Sequence, residues 1–218
     1  MSIPGHTTPR RSFLGRLASA TAAFGLGTLP STARADTSNE GDVRAASDDE
    51  PWMTRLTGSQ RIIIHAHEPT AGLALRWAQT FLDTQKSSYA RNDRDCSVVV
   101  GLNGKSVGLV FNDAMWAKYP IAQTLEMSGT RNPAGPTGSN AIAQLLARGV
   151  IILACQNSLR AAGQRFLPEP QRNDAAARSA FGAEVTANLL PGVEIVPAMI
   201  VTLQMAQDRG CRYVYAGG

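Results

Sequence analysis

The stretch GVIILACQNSL, residues 149–159, decides the fold. Its apolar, β-branched run VIIL at 150–153 reads as a strand, and it ends at Cys155 immediately before the polar Gln156, Asn157 and Ser158. Working outward, runs of the same kind recur as III at 62–64, VVV at 98–100 and VEIV at 193–196, with a short last one, YVY, at 213–215. Longer amphipathic stretches near 70–85, 106–118, 139–148, 174–189 and 198–209 separate them. Strands alternating with helices are the signature of βα units around a largely parallel sheet, so the expected product is a three-layer α/β/α sandwich with a mainly parallel five-stranded sheet. Ser139 is suited to cap the third helix, and Gly149 and Gly210 sit where helices commonly end.

The N-terminus carries a different kind of signal. Arg10 and Arg11 stand side by side, followed by Ser12, Phe13 and Leu14, which is the twin-arginine pattern. A mildly apolar stretch at 13–29 comes next, then Pro30 and the small-residue site Ala33, Arg34, Ala35. That order is the one expected of a cleavable export signal over residues 1–35, cut after Ala35, leaving Asp36 first. An amphipathic helix or a membrane anchor is the alternative. Against it, the glycines at 15, 25 and 27 weaken a helix, and the run falls short of the ~20 apolar residues that span a bilayer. No cysteine near the cleavage site offers a lipid anchor. The expected location is the periplasm or the exterior of the cell.

Removing that segment changes the meaning of the composition. Arg10, Arg11, Arg16 and Arg34 are its only charges and the formal net charge of the chain is +4, so the remainder is near neutral. It offers no basic surplus for nucleic acid or an anionic membrane. Its length suits one domain and is short for two. Residues 36–59 are rich in Asp, Glu, Ser, Thr and Asn and read as a flexible polar tether, leaving 60–218 as the domain.

Five segments then carry a family resemblance: NDAMWAKY (112–119), RNP (131–133), GVIILACQNSL (149–159), LLPGVEIVPA (189–198) and QDRGCRYVYAG (207–217). Together they resemble the DsrE/DsrF-like (sulfur-relay) superfamily, in its branch with twin-arginine signal peptides. The resemblance implies a flavodoxin-like sheet and assembly into homotrimers or homohexamers. It also implies that Cys155, after the third main strand, holds the place of the cysteine that carries sulfur as a persulfide, with a sulfur-transfer protein as partner. The residues support that position independently, because open α/β sheets place their sites at strand carboxyl ends. A thiol there faces the N-terminus of the following helix, whose free N–H groups stabilise thiolate. The competing reading is a buried core cysteine, a common fate of free thiols.

Cys96 and Cys211 each sit at the start of a strand, on the edge opposite Cys155. In a flavodoxin-like order 2-1-3-4-5 they would belong to the two outermost strands, roughly 19 Å apart. A disulfide needs Cα atoms within about 7 Å, so no internal pair is expected. His65 and His67 flank Ala66 at the end of the first strand, and alternation would put both on one face if the strand persists that far. In a 2-1-3 order the pair would lie beside Cys155, where His65 could tune the thiol. Two imidazoles and a thiolate, His65, His67 and Cys155, would also make a three-ligand site for zinc or copper, although His-x-His alone is a weak signal and no metal is expected. No cofactor is assigned.

Other motifs point to structure. GLNGKS at 101–106 has Val99 where a phosphate loop needs Gly, and reads as a helix-initiating turn with small-anion binding as a minor option. Trp116 and Tyr119 read as core-facing. The stretch 120–138 is long, bears Gly and Pro and lacks period, a length at which loops are functional or mobile. Within it Arg131 would hold an anionic substrate or a neighbouring subunit, or would pin the loop to backbone carbonyls; Asn157 is a further support candidate. Two functions follow. A sulfur or redox relay requires an accessible, reactive Cys155. A non-catalytic module for a small ligand, metal ion or protein partner leaves Cys155 buried and exposes apolar surface.

Overall fold

The computed structural model describes residues 50–138 and 141–217. Five strands form one sheet in which every pairing is parallel: β1 (Gln60–Ala66), β2 (Cys96–Leu102), β3 (Ile151–Cys155), β4 (Val193–Val196) and β5 (Arg212–Tyr215). Helix α1 (Leu73–Tyr89) joins β1 to β2. Helices α2 (Asp113–Lys118), α3 (Ile121–Thr124) and α4 (Ile142–Ala147) join β2 to β3. Helices α5 (Gln156–Arg160), α6 (Ala162–Phe166) and α7 (Ala175–Ala187) lead to β4, and α8 (Met199–Asp208) leads to β5. The expected three-layer, flavodoxin-like α/β/α sandwich is the observed class, with the sheet wholly rather than mainly parallel.

The strand order is β4-β3-β2-β1-β5, not 2-1-3-4-5. Right-handed crossovers explain the layers that result. The steps from β1 to β4 all move the same way, so α1 through α7 lie on one face, over Ile64, Val100, Leu102 and Ile152. The step from β4 to β5 runs back past three strands and carries α8 to the other face. There Met199, Leu203 and Ala206 meet Ile63, Val99, Ile151, Leu153 and Cys155. Every residue of β2 and β3 is buried, as expected of strands covered on both sides.

The second face is completed from the expected tether. A 3₁₀ turn at Pro51–Arg55 buries Trp52 and Met53, and Leu56 joins them in the α8-side core. Its register is held by Arg55 bonding Glu194 and by the Gly58 amide donating to Ser97 Oγ at 2.8 Å. From residue 50 on, the polar stretch therefore packs on the sheet.

Other expectations change in detail. The stretch expected as one helix at 106–118 splits into a 3₁₀ segment, Gly104–Val110, and α2, whose cap is Asn112 Oδ1 accepting the Met115 amide at 3.1 Å. Helix α4 starts at Ile142 with Ala141 in the cap position; Ser139 lies outside the described residues. Gly149 and Gly210 follow α4 and α8 with φ of 84° and 83°, the left-handed conformation that ends helices. Arg10, Arg11 and the cleavage site after Ala35 also lie outside the described residues.

Candidate functional site

The carboxyl ends of β3 and β4 lead in opposite directions, β3 into α5 on one face and β4 through residues 197–198 into α8 on the other. Adjacent strands whose exits part in this way open a crevice, the position at which α/β sheets place their sites. Cys155 stands where the two strands part, last residue of β3, N-cap of α5 and partner of Val196 in the register.

The surroundings of Cys155 Sγ are polar on the backbone side. The Met199 amide, first in α8, donates to it at 3.4 Å. The Ser158 amide and hydroxyl and the Asn157 amide also act on the sulfur. Ser158 Oγ in turn accepts the Gly104 amide at 2.9 Å, which orients the hydroxyl. Burial pushes the thiol up, but these donors together outweigh it and hold Cys155 below its ordinary value. Cys155 as a whole is 5% exposed.

The two histidines are not beside it. β2 lies between β1 and β3, so the strand order removes the expected adjacency. In the row across the sheet, His65 faces Gly101, which faces Leu153. The Met199 side chain lies over that glycine; a Cβ there would meet its sulfur at 2.7 Å. The strand also ends at Ala66, so alternation does not carry to His67, which is exposed with its ring against Gly104. The three-ligand set of His65, His67 and Cys155 is therefore not assembled. Among the described residues no group of three His, Cys, Asp or Glu side chains is placed to hold a metal ion.

His65 joins a different cluster, with Nδ1 3.0 Å from the Tyr213 hydroxyl and Nε2 3.0 Å from Asn103 Oδ1. Burial, the largest influence, and nearby His67 push its pKa down against the Asn103 bond, which raises it.

Arg131 is exposed, and the loop is pinned by its neighbour. Asn132, 2% exposed, donates from Nδ2 to Leu109 O at 2.7 Å and Phe111 O at 2.6 Å. Its Oδ1 accepts the Ala134 amide at 2.9 Å and its own amide donates to Asp113 Oδ1 at 2.9 Å. The pinning role considered for Arg131 thus belongs to Asn132. Asn157 is exposed, and its amide is what reaches the sulfur. Trp116 is buried with Nε1 donating to Gly108 O at 2.9 Å, and Tyr119 meets Phe181 edge-on at 4.7 Å, both packing roles. The GLNGKS turn ties the strand ends together: Ser106 Oγ donates to Ala66 O at 2.7 Å and the Asn103 amide to the same carbonyl at 3.0 Å.

Sequence reasoning missed Ser158 as a donor and the Met199 amide. Ser158 stood in the polar run after Cys155 and was legible as a neighbour. A main-chain amide reaching in from 44 residues away leaves no mark in the sequence. Exposed apolar side chains occur on β4, Ile195 at 41%, and at the start of α8, Ile200 at 76% and Val201 at 50%.

No protein-family model matches this chain, and no curated protein matches it. Among solved structures, the chain is similar to a protein of unknown function, MTH1491 from Methanobacterium thermoautotrophicum. The identity is 16%, over 72% of this chain and 98% of that one, with a TM-score of 0.42.

Proposed function

We propose that this chain is a thiol-based sulfur or redox relay acting through Cys155. The observation that carries the reading is the convergence on one buried sulfur of main-chain N–H groups from the starts of α5 and α8, with the Ser158 hydroxyl. An inert core thiol needs no such donors, whereas a thiolate does. In the relay step the Cys155 thiolate attacks the outer sulfur of a donor persulfide. A new S–S bond forms on Cys155, the donor's S–S bond breaks, and the donor leaves as a thiolate, with no net oxidation. The resemblance to DsrE/DsrF-like proteins supports the same chemistry. It brings with it a homotrimeric or homohexameric assembly, a sulfur-transfer protein as partner, and export through Arg10 and Arg11 with cleavage after Ala35. Intact-mass analysis of protein purified from the periplasm, before and after a small persulfide donor, tests it. One added sulfur lost on reduction is the expected result, and an unchanged mass rejects it.

The second reading, a non-catalytic binding module, draws on two observations: the 5% exposure of Cys155 and the exposed Ile200 and Val201 at the start of α8, the helix whose first amide bonds the sulfur. It predicts a native protein inert to alkylation at Cys155. Rapid alkylation of that one thiol decides for the relay.

A further inference from the structure

A cavity of about 1310 Å³ lies on the face opposite α8, between α2 and α3 on one side and α6 with the following 168–172 segment on the other. Four cations line it: Lys105, Lys118, Arg165 and Arg172. The lysines are matched already, Lys105 to Glu68 at 3.3 Å and Lys118 to Glu184 at 2.6 Å. The arginines are not. Arg165 Nη1 donates to the Ser158 carbonyl at 3.2 Å and Arg172 Nε to the Leu167 carbonyl at 2.9 Å. Among the described residues neither forms an ion pair. One carboxylate, Glu169, shares the wall with these two guanidinium groups, which leaves a positive balance.

Each arginine is half-buried and held by a carbonyl, so its planar fork is oriented while most of its five donors remain unused. Pre-oriented guanidinium groups are the side chains best matched to the two or three oxygens of an oxyanion. The rest of the wall is mixed, with Tyr119, Pro120, Met127 and Pro168 giving apolar surface. We infer that this cavity is a binding site for a small organic oxyanion, an apolar or aromatic body bearing a carboxylate, sulfonate or phosphate head seated on Arg165 and Arg172. Cys155 does not line the cavity, so the inference stands independently of the relay reading.

Anilinonaphthalene sulfonate, which combines an aromatic body with one sulfonate, is the probe, and uncharged phenylnaphthylamine is its control. Titrated into the full chain, the sulfonate should bind at one saturable site that weakens with added salt. Arg165→Gln and Arg172→Gln should each weaken it about tenfold or more, the effect of removing one charge-assisted hydrogen bond. Ile200→Ser, on the opposite face, should leave it unchanged. Circular dichroism checks that each variant is folded. Should Arg165→Gln unfold, the singly substituted Arg172→Gln and Arg172→Lys proteins carry the test, the lysine retaining charge but losing the fork. Equal affinity in the arginine variants, or equally tight binding of the uncharged probe, overturns the site.

Discussion

Cys155 ends β3 at the carboxyl edge of the sheet, whereas Cys96 opens β2 and Cys211 precedes β5 at the amino edge. All three are free thiols buried to similar depth, at 5%, 9% and 4% exposure. Burial pushes each of them up. At Cys96 the neighbouring Asp93 and Asp95 push further in the same direction, with Arg91 opposing, and at Cys211 only Arg61 opposes. Both amino-edge thiols end above their ordinary value, and Cys155 alone ends below it. Depth is therefore not what separates them. In a parallel sheet the chain enters its helices at the carboxyl edge, so unpaired N–H groups gather there and favour an anion.

The strongest test of this contrast is the loss of one thiol at a time. Cys155→Ser should abolish sulfur uptake from a persulfide donor while the protein folds and assembles normally, because a hydroxyl cannot carry sulfane sulfur. Cys96→Ser and Cys211→Ser should keep full uptake, and uptake that survives in Cys155→Ser would break the comparison outright. Next in size is the order of alkylation. With iodoacetamide at neutral pH, followed by peptide mass analysis, Cys155 should react on the order of ten times faster than either amino-edge thiol. Its rate should also rise at lower pH than theirs. Uniform rates would mean that burial governs after all.

The strands were legible because β-branched runs announce them: III at 62–64, VVV at 98–100 and VIIL at 150–153 all fall in or against observed strands. Their order was not, since it depends on which way each crossover packs, and that information is spread over whole helices. The error had a chemical consequence, because placing β1 beside β3 brought His65 and His67 to Cys155, where the fold places β2. The cysteine itself was legible from its place at a strand end. The donors that perturb it were mostly main-chain amides, and amides look alike in every sequence. In RNP the charged Arg131 drew attention, yet the buried Asn132, with an amide able to donate and accept at once, fastens the loop. Helices α5 and α6, five residues each, are too short to show a period.

A finer test concerns Ser158, whose hydroxyl acts on the sulfur and accepts the Gly104 amide. Ser158→Ala should shift the pH dependence of Cys155 alkylation upward and slow it several-fold at neutral pH, with a stability loss of about 1–2 kcal/mol for the stranded Gly104 amide. A cost in stability without a change in the alkylation profile would reduce Ser158 to a packing role.

The smallest expected effect belongs to His65, another perturbed group at the carboxyl edge. Asn103 Oδ1 can only accept, so the neutral ring carries its proton on Nε2, and Nδ1 accepts from the Tyr213 hydroxyl. Burial disfavours the imidazolium most and His67 adds repulsion, so the folded pKa lies below the ordinary 6.5 despite the Asn103 bond. The unfolded chain therefore takes up a proton first as pH falls. Stability should decline once pH drops below that ordinary value and level off below the folded pKa. Denaturant titrations at about pH 7.5 and about pH 5 should show a modest fall in midpoint. His65→Gln should flatten part of that fall, and Cys155→Ser should leave it unchanged. The lowered thiol reflects a favoured anion, whereas the lowered imidazole reflects a disfavoured cation. A slope indifferent to His65→Gln would show that the imidazole is not held neutral in the fold, and the contrast between favoured anion and disfavoured cation would fail.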